Sequence, residues 1–136
     1  MNPTIITGLV PNCRAVQEEI FGPVVSILKF KTEEDAIEIA NGVKYGKIIF
    51  FKINFFYIFF FFFIIGLSST IWTENVKRAN RVALKLQTGY VWVNCWMLRD
   101  LRVPFGGWKH SGVGREGGKY ALEFYTEQKN ICIKYN

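Results

Sequence analysis

Apolar positions along this chain follow two periods in alternation. Thr4 to Val10 is apolar and β-branched and breaks at Pro11-Asn12, while Val24 to Phe30 is nearly continuous in apolar residues, as in a buried strand. Thr32 then precedes Glu33, Glu34 and Asp35, a capping hydroxyl followed by acidic side chains that suit the positive end of a helix. Ala36, Ile37, Ile39 and Ala40 form its apolar face, and Asn41-Gly42 stops it. A second strand–helix pair follows. Leu67 to Trp72 predicts a strand, and Thr73 is placed to cap a helix running to about Leu86, with Val76, Ala79, Val82, Ala83 and Leu86 on one stripe. Tyr90 to Asn94 is the next strand, Tyr120 to Thr126 a short helix, and Ile131 to Tyr135 alternates like a terminal strand with Ile131, Ile133 and Tyr135 on one face. Strands alternating with helices predict an α/β fold with a largely parallel sheet.

The run from Lys47 to Ile65 breaks this pattern. It contains only Phe, Ile, Lys, Asn and Tyr, and it divides the chain into 1–46, 47–65 and 66–136. Its length matches the roughly 20 apolar residues that span a bilayer. Against that, Lys52 and Asn54 lie inside it, and a lysine near a helix centre costs on the order of 3 kcal/mol. Small residues typical of membrane helices are missing as well. Every residue type in the run can be encoded by codons of A and T alone. Gly46-Lys47 fits a splice-donor-like G|GTAA and Ile65-Gly66 an acceptor-like ATAG|G. Excision would fuse the two glycines and place Leu67 directly after that glycine. The expectation is a translated, in-frame intron, the alternatives being a membrane segment or a genuine insertion.

Composition adds little beyond this. The 136 residues suffice for one domain, on a prior of about 100–200 residues per domain. Nine of the 13 phenylalanines lie between Phe50 and Phe63, so the remainder reads as an ordinary soluble α/β protein. The net charge of +6 is spread along the chain with acidic residues interleaved, which disfavours nucleic acid as a partner. Cys13, Cys95 and Cys132 have no metal-type spacing, His110 is the only histidine, and no secretory signal pattern precedes them. These features point to a reduced, cytoplasmic protein whose thiols only pack, with no metal site and no membrane partner.

Five motifs carry chemistry. They are Glu18-Glu19-Ile20-Phe21-Gly22-Pro23-Val24, Asn41 to Gly46 continuing into Leu67, Gly89-Tyr90-Val91-Trp92-Val93-Asn94, Pro104-Phe105-Gly106-Gly107-Trp108-Lys109-His110-Ser111-Gly112, and Gly114-Arg115-Glu116. In this order and spacing they resemble the C-terminal part of the aldehyde dehydrogenase family. The resemblance implies the C-terminal portion of that fold, part of the catalytic domain with a terminal oligomerisation strand, in a homo-oligomer that uses NAD or NADP. It also implies that Glu19 holds the nicotinamide ribose, that Phe21 packs beside the nicotinamide, and that Phe105 lines the substrate tunnel. Without the resemblance, Glu19 reads as an acid before a turn and Phe105 as a core ring. The spacing Gly112, Gly114, Gly117 also satisfies GxGxxG, but with no preceding strand it is expected to be coincidental. Arg115 and Glu116 read as structural residues, at a subunit contact in one version.

The loop Asn94 to Arg102 narrows the substrate. It is similar to that of the 2-aminomuconic and 2-hydroxymuconic semialdehyde dehydrogenases, whose substrates carry carboxylates. A guanidinium pairs with a carboxylate through two parallel charge-assisted hydrogen bonds. Arg99, six residues before Phe105, is the expected carboxylate ligand. The alternatives are a solvated Arg99 paired to Asp100, or Arg102 in its place.

The family's nucleophilic cysteine lies in a segment resembling G-Q-x-C and its general base in E-L-G-G-K. Neither segment occurs in these residues, so no catalytic residue is assigned. The expectation is a fragment that is inactive alone, with a non-catalytic interaction role or a membrane-anchored piece as alternatives. Strands separated from the rest of their domain expose apolar faces and sheet edges, which favours aggregation.

Overall fold

The computed structural model describes residues 1–44, 50–52 and 66–135. Apart from the three-residue strand at Phe50–Lys52, the expectations concerning Lys47 to Ile65 lie outside the described residues. Among the described residues, no helix is long and apolar enough to cross a membrane.

The first unit contains β1 (Thr4–Ile6) and β2 (Val24–Ser26), paired in parallel with Thr4 opposite Val24. Both strands are shorter than their apolar runs. Between them lies a single turn, α1 (Arg14–Gln17), that the sequence pattern does not predict. Its one buried residue, Val16, makes no stripe. The helix α2 (Glu33–Asn41) forms where expected, and the Thr32 hydroxyl accepts from the Asp35 amide at 3.1 Å. The Asp35 carboxylate in turn accepts from the Lys31 amide at 2.9 Å, tying down the residue before the cap.

The second unit is a parallel sheet of β3 (Phe50–Lys52), β4 (Ser68–Trp72) and β5 (Tyr90–Val93), with β4 in the middle. The connection from β4 to β5 is α3 (Val76–Lys85). Its cap is Asn75, which accepts from the Arg78 amide at 2.9 Å, and not Thr73. The Thr73 hydroxyl instead accepts from the Asn75 amide, closing a turn one step earlier. The last helix, α4 (Gly118–Tyr125), buries no residue completely.

One core joins the units. Val16, Leu28, Ala36, Ile37, Ala40 and Val43 of the first pack with Ile71, Val82 and Leu86 of the second. Each fully buried Leu, Ile or Val contributes about 1.5–3 kcal/mol by leaving water. Polar links align the helices at this seam. Arg81 donates to both carboxylate oxygens of Glu33 at 2.6 and 2.7 Å, and Asn41 bridges the Lys85 carbonyl and the Gln87 amide, each at 2.9 Å. The hydrogen bond from Arg81 holds the Glu33 carboxyl below its ordinary range. A depressed carboxyl stabilises the fold above its unfolded-state value, and that stability is lost as pH falls through the folded value. Melting temperatures should therefore separate wild type from E33Q at about pH 7, and the gap should close towards about pH 3.

The expected terminal strand does not form. Ile131, Ile133 and Tyr135 are 69%, 64% and 85% exposed. A strand needs a partner edge for its backbone groups, and these residues have none among the described residues. Cys132 is exposed for the same reason, whereas Cys13 packs against the core; all three thiols are free.

Candidate functional site

Alternation along β5 puts Tyr90 and Trp92 on one face, with ring centroids 4.6 Å apart. Trp96 meets Trp92 edge-on at 5.0 Å, and Tyr90 lies 5.9 Å from Phe105, so four rings run from the strand into the following loops. The Trp92 indole donates to the Leu98 carbonyl at 2.7 Å, and the Tyr90 hydroxyl donates to the same oxygen at 3.3 Å. Two donors from β5 thus fix the backbone immediately before Arg99. The period-2 pattern of Tyr90 and Trp92 was the available signal for this support. Asn94 completes it: with φ of 53° in the left-handed region that Asn tolerates, its amide side chain brackets Thr73, accepting from its N–H and donating to its carbonyl at 2.8 Å each.

Arg99 and Phe105 come together. The guanidinium carbon of Arg99 lies 4.0 Å from the Phe105 ring centroid, a cation–π contact. One nitrogen, Nη2, is 3.4 Å from Glu116 Oε2. Asp100 does not pair with Arg99. It accepts from the backbone and guanidinium of Arg102, which depresses the Asp100 carboxyl and raises Arg102 through their shared hydrogen bonds. Arg102 is thus paired within its own turn, whereas Arg99 meets Phe105 and Glu116.

Phe105 is held by two backbone hydrogen bonds with Glu116, of 2.9 and 2.7 Å. The Arg115 guanidinium donates to the carbonyls of Gly107 and Gly114, tying this hairpin-like loop across its base. A cavity of about 240 Å³ adjoins Phe105 and Glu116 and is lined also by Leu67, Ser111, Arg115 and Phe124. Packing requires a glycine at two positions of the GxGxxG spacing: a Cβ on Gly117 would lie 2.3 Å from the Val103 carbonyl oxygen, and one on Gly114 2.4 Å from the Phe124 ring. Gly89 is tighter still. A Cβ there would stand 1.6 Å from the Gly106 oxygen, a backbone atom with no rotamer to escape into. Gly89→Ala is expected to lower stability by about 2–3 kcal/mol, read as a shift of the denaturant midpoint.

The segment 108–110 holds this loop to the rest of the fold. Lys109 donates from Nζ to the Asn41 and Val43 carbonyls at the end of α2, and burial lowers its ammonium pKa. The Trp108 amide donates to the Gly66 carbonyl at 3.2 Å and the His110 amide to the Lys44 carbonyl at 3.3 Å. Residues 44 and 66 are therefore gripped two positions apart on one strand of chain.

Glu19 and Phe21 sit apart from Arg99 in sequence, in the loop between α1 and β2. Glu19 Oε1 is buried without a hydrogen-bond partner among the described residues. A buried carboxylate oxygen without a donor is costly. The Phe21 ring is 84% exposed, an apolar face open to a planar partner.

The model of the aldehyde dehydrogenase family matches residues 1–48 and 64–131. The chain belongs to the aldehyde dehydrogenase family. It is 52% identical over 134 residues to a 2-hydroxymuconic semialdehyde dehydrogenase of Pseudomonas putida, covering 98% of this chain and 24% of that enzyme. It is 47% identical over 135 residues to the 2-aminomuconic semialdehyde dehydrogenase of Danio rerio, covering 99% and 24%. Among solved structures, the indole-3-acetaldehyde dehydrogenase of P. syringae in complex with NAD+ and IAA superposes with a TM-score of 0.76 at 41% identity, covering 98% of this chain and 23% of that one. An aldehyde dehydrogenase from Bacillus cereus, in complex with NAD+, gives 0.73 at 42%, covering 92% and 21%. The chain thus spans about a quarter of the length of these aldehyde dehydrogenases, and its two units are that portion of the family's α/β fold.

Proposed function

We propose that these residues form the substrate-facing wall and one edge of the cofactor site of an NAD(P)-dependent aldehyde dehydrogenase that oxidises a carboxylated, muconic-type semialdehyde to its acid. The observation that carries this reading is Arg99, laid on the Phe105 ring and fixed through Leu98 by two donors from β5. A guanidinium whose carbon lies over a ring retains N–H donors for a carboxylate, while the ring offers an apolar surface to a conjugated carbon chain. The relatives named for muconic semialdehydes support this substrate class. Glu19 accepts hydrogen bonds from the nicotinamide ribose, and Phe21 covers the ring beside it. NAD(P), when bound, supplies the hydride acceptor. The nucleophilic thiol and the general base are assigned to segments outside these residues, and Cys13, Cys95 and Cys132 are given no part in catalysis. The purified 136-residue chain should therefore form no NADH from a semialdehyde, and a steady rate would overturn this assignment. The alternating, exposed Ile131, Ile133 and Tyr135 support pairing with a second subunit in a homo-oligomer, and free thiols suit the cytoplasm.

For the run from Lys47 to Ile65, the reading as a translated intron has two supports. The family match breaks between 48 and 64, and residues 44 and 66 are already held side by side by Trp108 and His110. Amplification across this region from mature transcript tests it. A product lacking the codons is expected, and one retaining all of them would sink the idea.

A further inference from the structure

The loop that carries Phe105 also carries a carboxylate that meets Arg99 before any substrate does. Glu116 is the backbone partner of Phe105, so its position relative to the ring is set by the same two hydrogen bonds that seat the ring. Its Oε2 approaches a single guanidinium nitrogen at 3.4 Å, a distance too long for a strong hydrogen bond. The side chains are 35% exposed for Arg99 and 69% for Glu116. A guanidinium has five N–H donors and can hold a carboxylate on two of them in parallel. Here the contact is one-sided and solvent-exposed, the arrangement of a counter-ion that can leave. The tight pair in the same loop, Arg102 with Asp100, provides the contrast: it makes several contacts of 2.5 to 3.1 Å within one turn.

We infer that Glu116 is a resident stand-in for the substrate carboxylate. It neutralises Arg99 and holds the guanidinium against Phe105 in the free protein, and an incoming carboxylate displaces it. This deepens the reading of Arg99 as a carboxylate ligand and rests on it. The displacement sets selectivity. A ligand with one weakly placed carboxylate gains too little to replace Glu116. A ligand that makes a parallel pair with the guanidinium, and lays its carbon chain on the ring, replaces it. Glu116 is in this sense a positioning residue that acts through Arg99.

Arginine-specific labelling of the whole chain with phenylglyoxal, read residue by residue by mass spectrometry, tests this with trans,trans-muconate as the dicarboxylate probe. In E116Q, Arg99 should label about fivefold faster than in wild type, the order expected for loss of one exposed ion pair, while Arg102 keeps its rate. Muconate should protect Arg99 in both proteins, at a several-fold lower concentration in E116Q. The exposed side chain of Glu116 makes E116Q safe for folding, and the unchanged Arg102 rate reports it. Equal Arg99 rates in the two proteins, or equal protecting concentrations, would overturn the stand-in role. Failure of muconate to protect Arg99 in either protein, with the rate difference intact, would instead remove the carboxylate-ligand reading beneath it.

Discussion

Arg99→Ala should raise KM for 2-hydroxymuconic semialdehyde about 10- to 100-fold while leaving a neutral aldehyde within about twofold. The experiment places this chain, without residues 47–66, into the Pseudomonas putida relative in place of its matching quarter. The magnitude follows from the interaction lost. A hydrogen bond to a charged group is worth about 1.5–3 kcal/mol, and each 1.4 kcal/mol is about tenfold in affinity. Uncharged aldehydes never make the contact, so their KM should hardly move. Arg99→Lys should fall between, because an ammonium keeps the charge but loses the planar fork. Equal rises for both substrates would mean that Arg99 supports the loop and does not bind the carboxylate.

Removal of residues 47–66 is the second change with a large expected effect. The run is dense in β-prone apolar residues with little charge, the composition that drives intermolecular strand pairing. Its one described element is the three-residue edge strand Phe50–Lys52, and its flanks need no bridging segment of that length, since Trp108 and His110 already hold the Gly66 and Lys44 carbonyls on one short stretch. The core residues Val43 and Ile71 lie on either side of the run and belong to one cluster. The shortened chain should show soluble yield increased by on the order of tenfold, with helical circular dichroism retained. Loss of that helical signal would show that the run contributes to the fold.

Sequence pattern went far for the regular elements and less far for the site. The helix over Glu33–Asn41 was legible because a cap, an acidic first turn and an apolar stripe coincide there. Sequence alone does not single out Asn75 as the cap of Val76–Lys85, because Thr73, two residues earlier, has the same capping chemistry. Only the backbone decides which oxygen faces an amide. The strand expected at Ile131–Tyr135 has a genuine alternation, but alternation states which face is apolar and says nothing about what covers it. At the site, resemblance picks out Arg99 and Phe105 separately, and their cation–π contact comes from the folded loop. The grip of Tyr90 and Trp92 on Leu98, and the meeting of Glu116 with Arg99, depend on loop closure that no periodicity encodes. That closure relies on glycines whose need is visible only in the packing, Gly89 against Gly106 above all.

If these residues build a carboxylate-selective wall in an aldehyde dehydrogenase, substrate preference must follow Arg99. The most direct test is the ratio of kcat/KM for 2-hydroxymuconic semialdehyde to that for a neutral aldehyde of similar length, measured by NADH formation in the same exchange protein. A ratio within about an order of magnitude of the unmodified relative's is expected, collapsing when Arg99 is replaced. An exchange protein that folds and oxidises the neutral aldehyde, yet shows no preference for the carboxylated one, would contradict it.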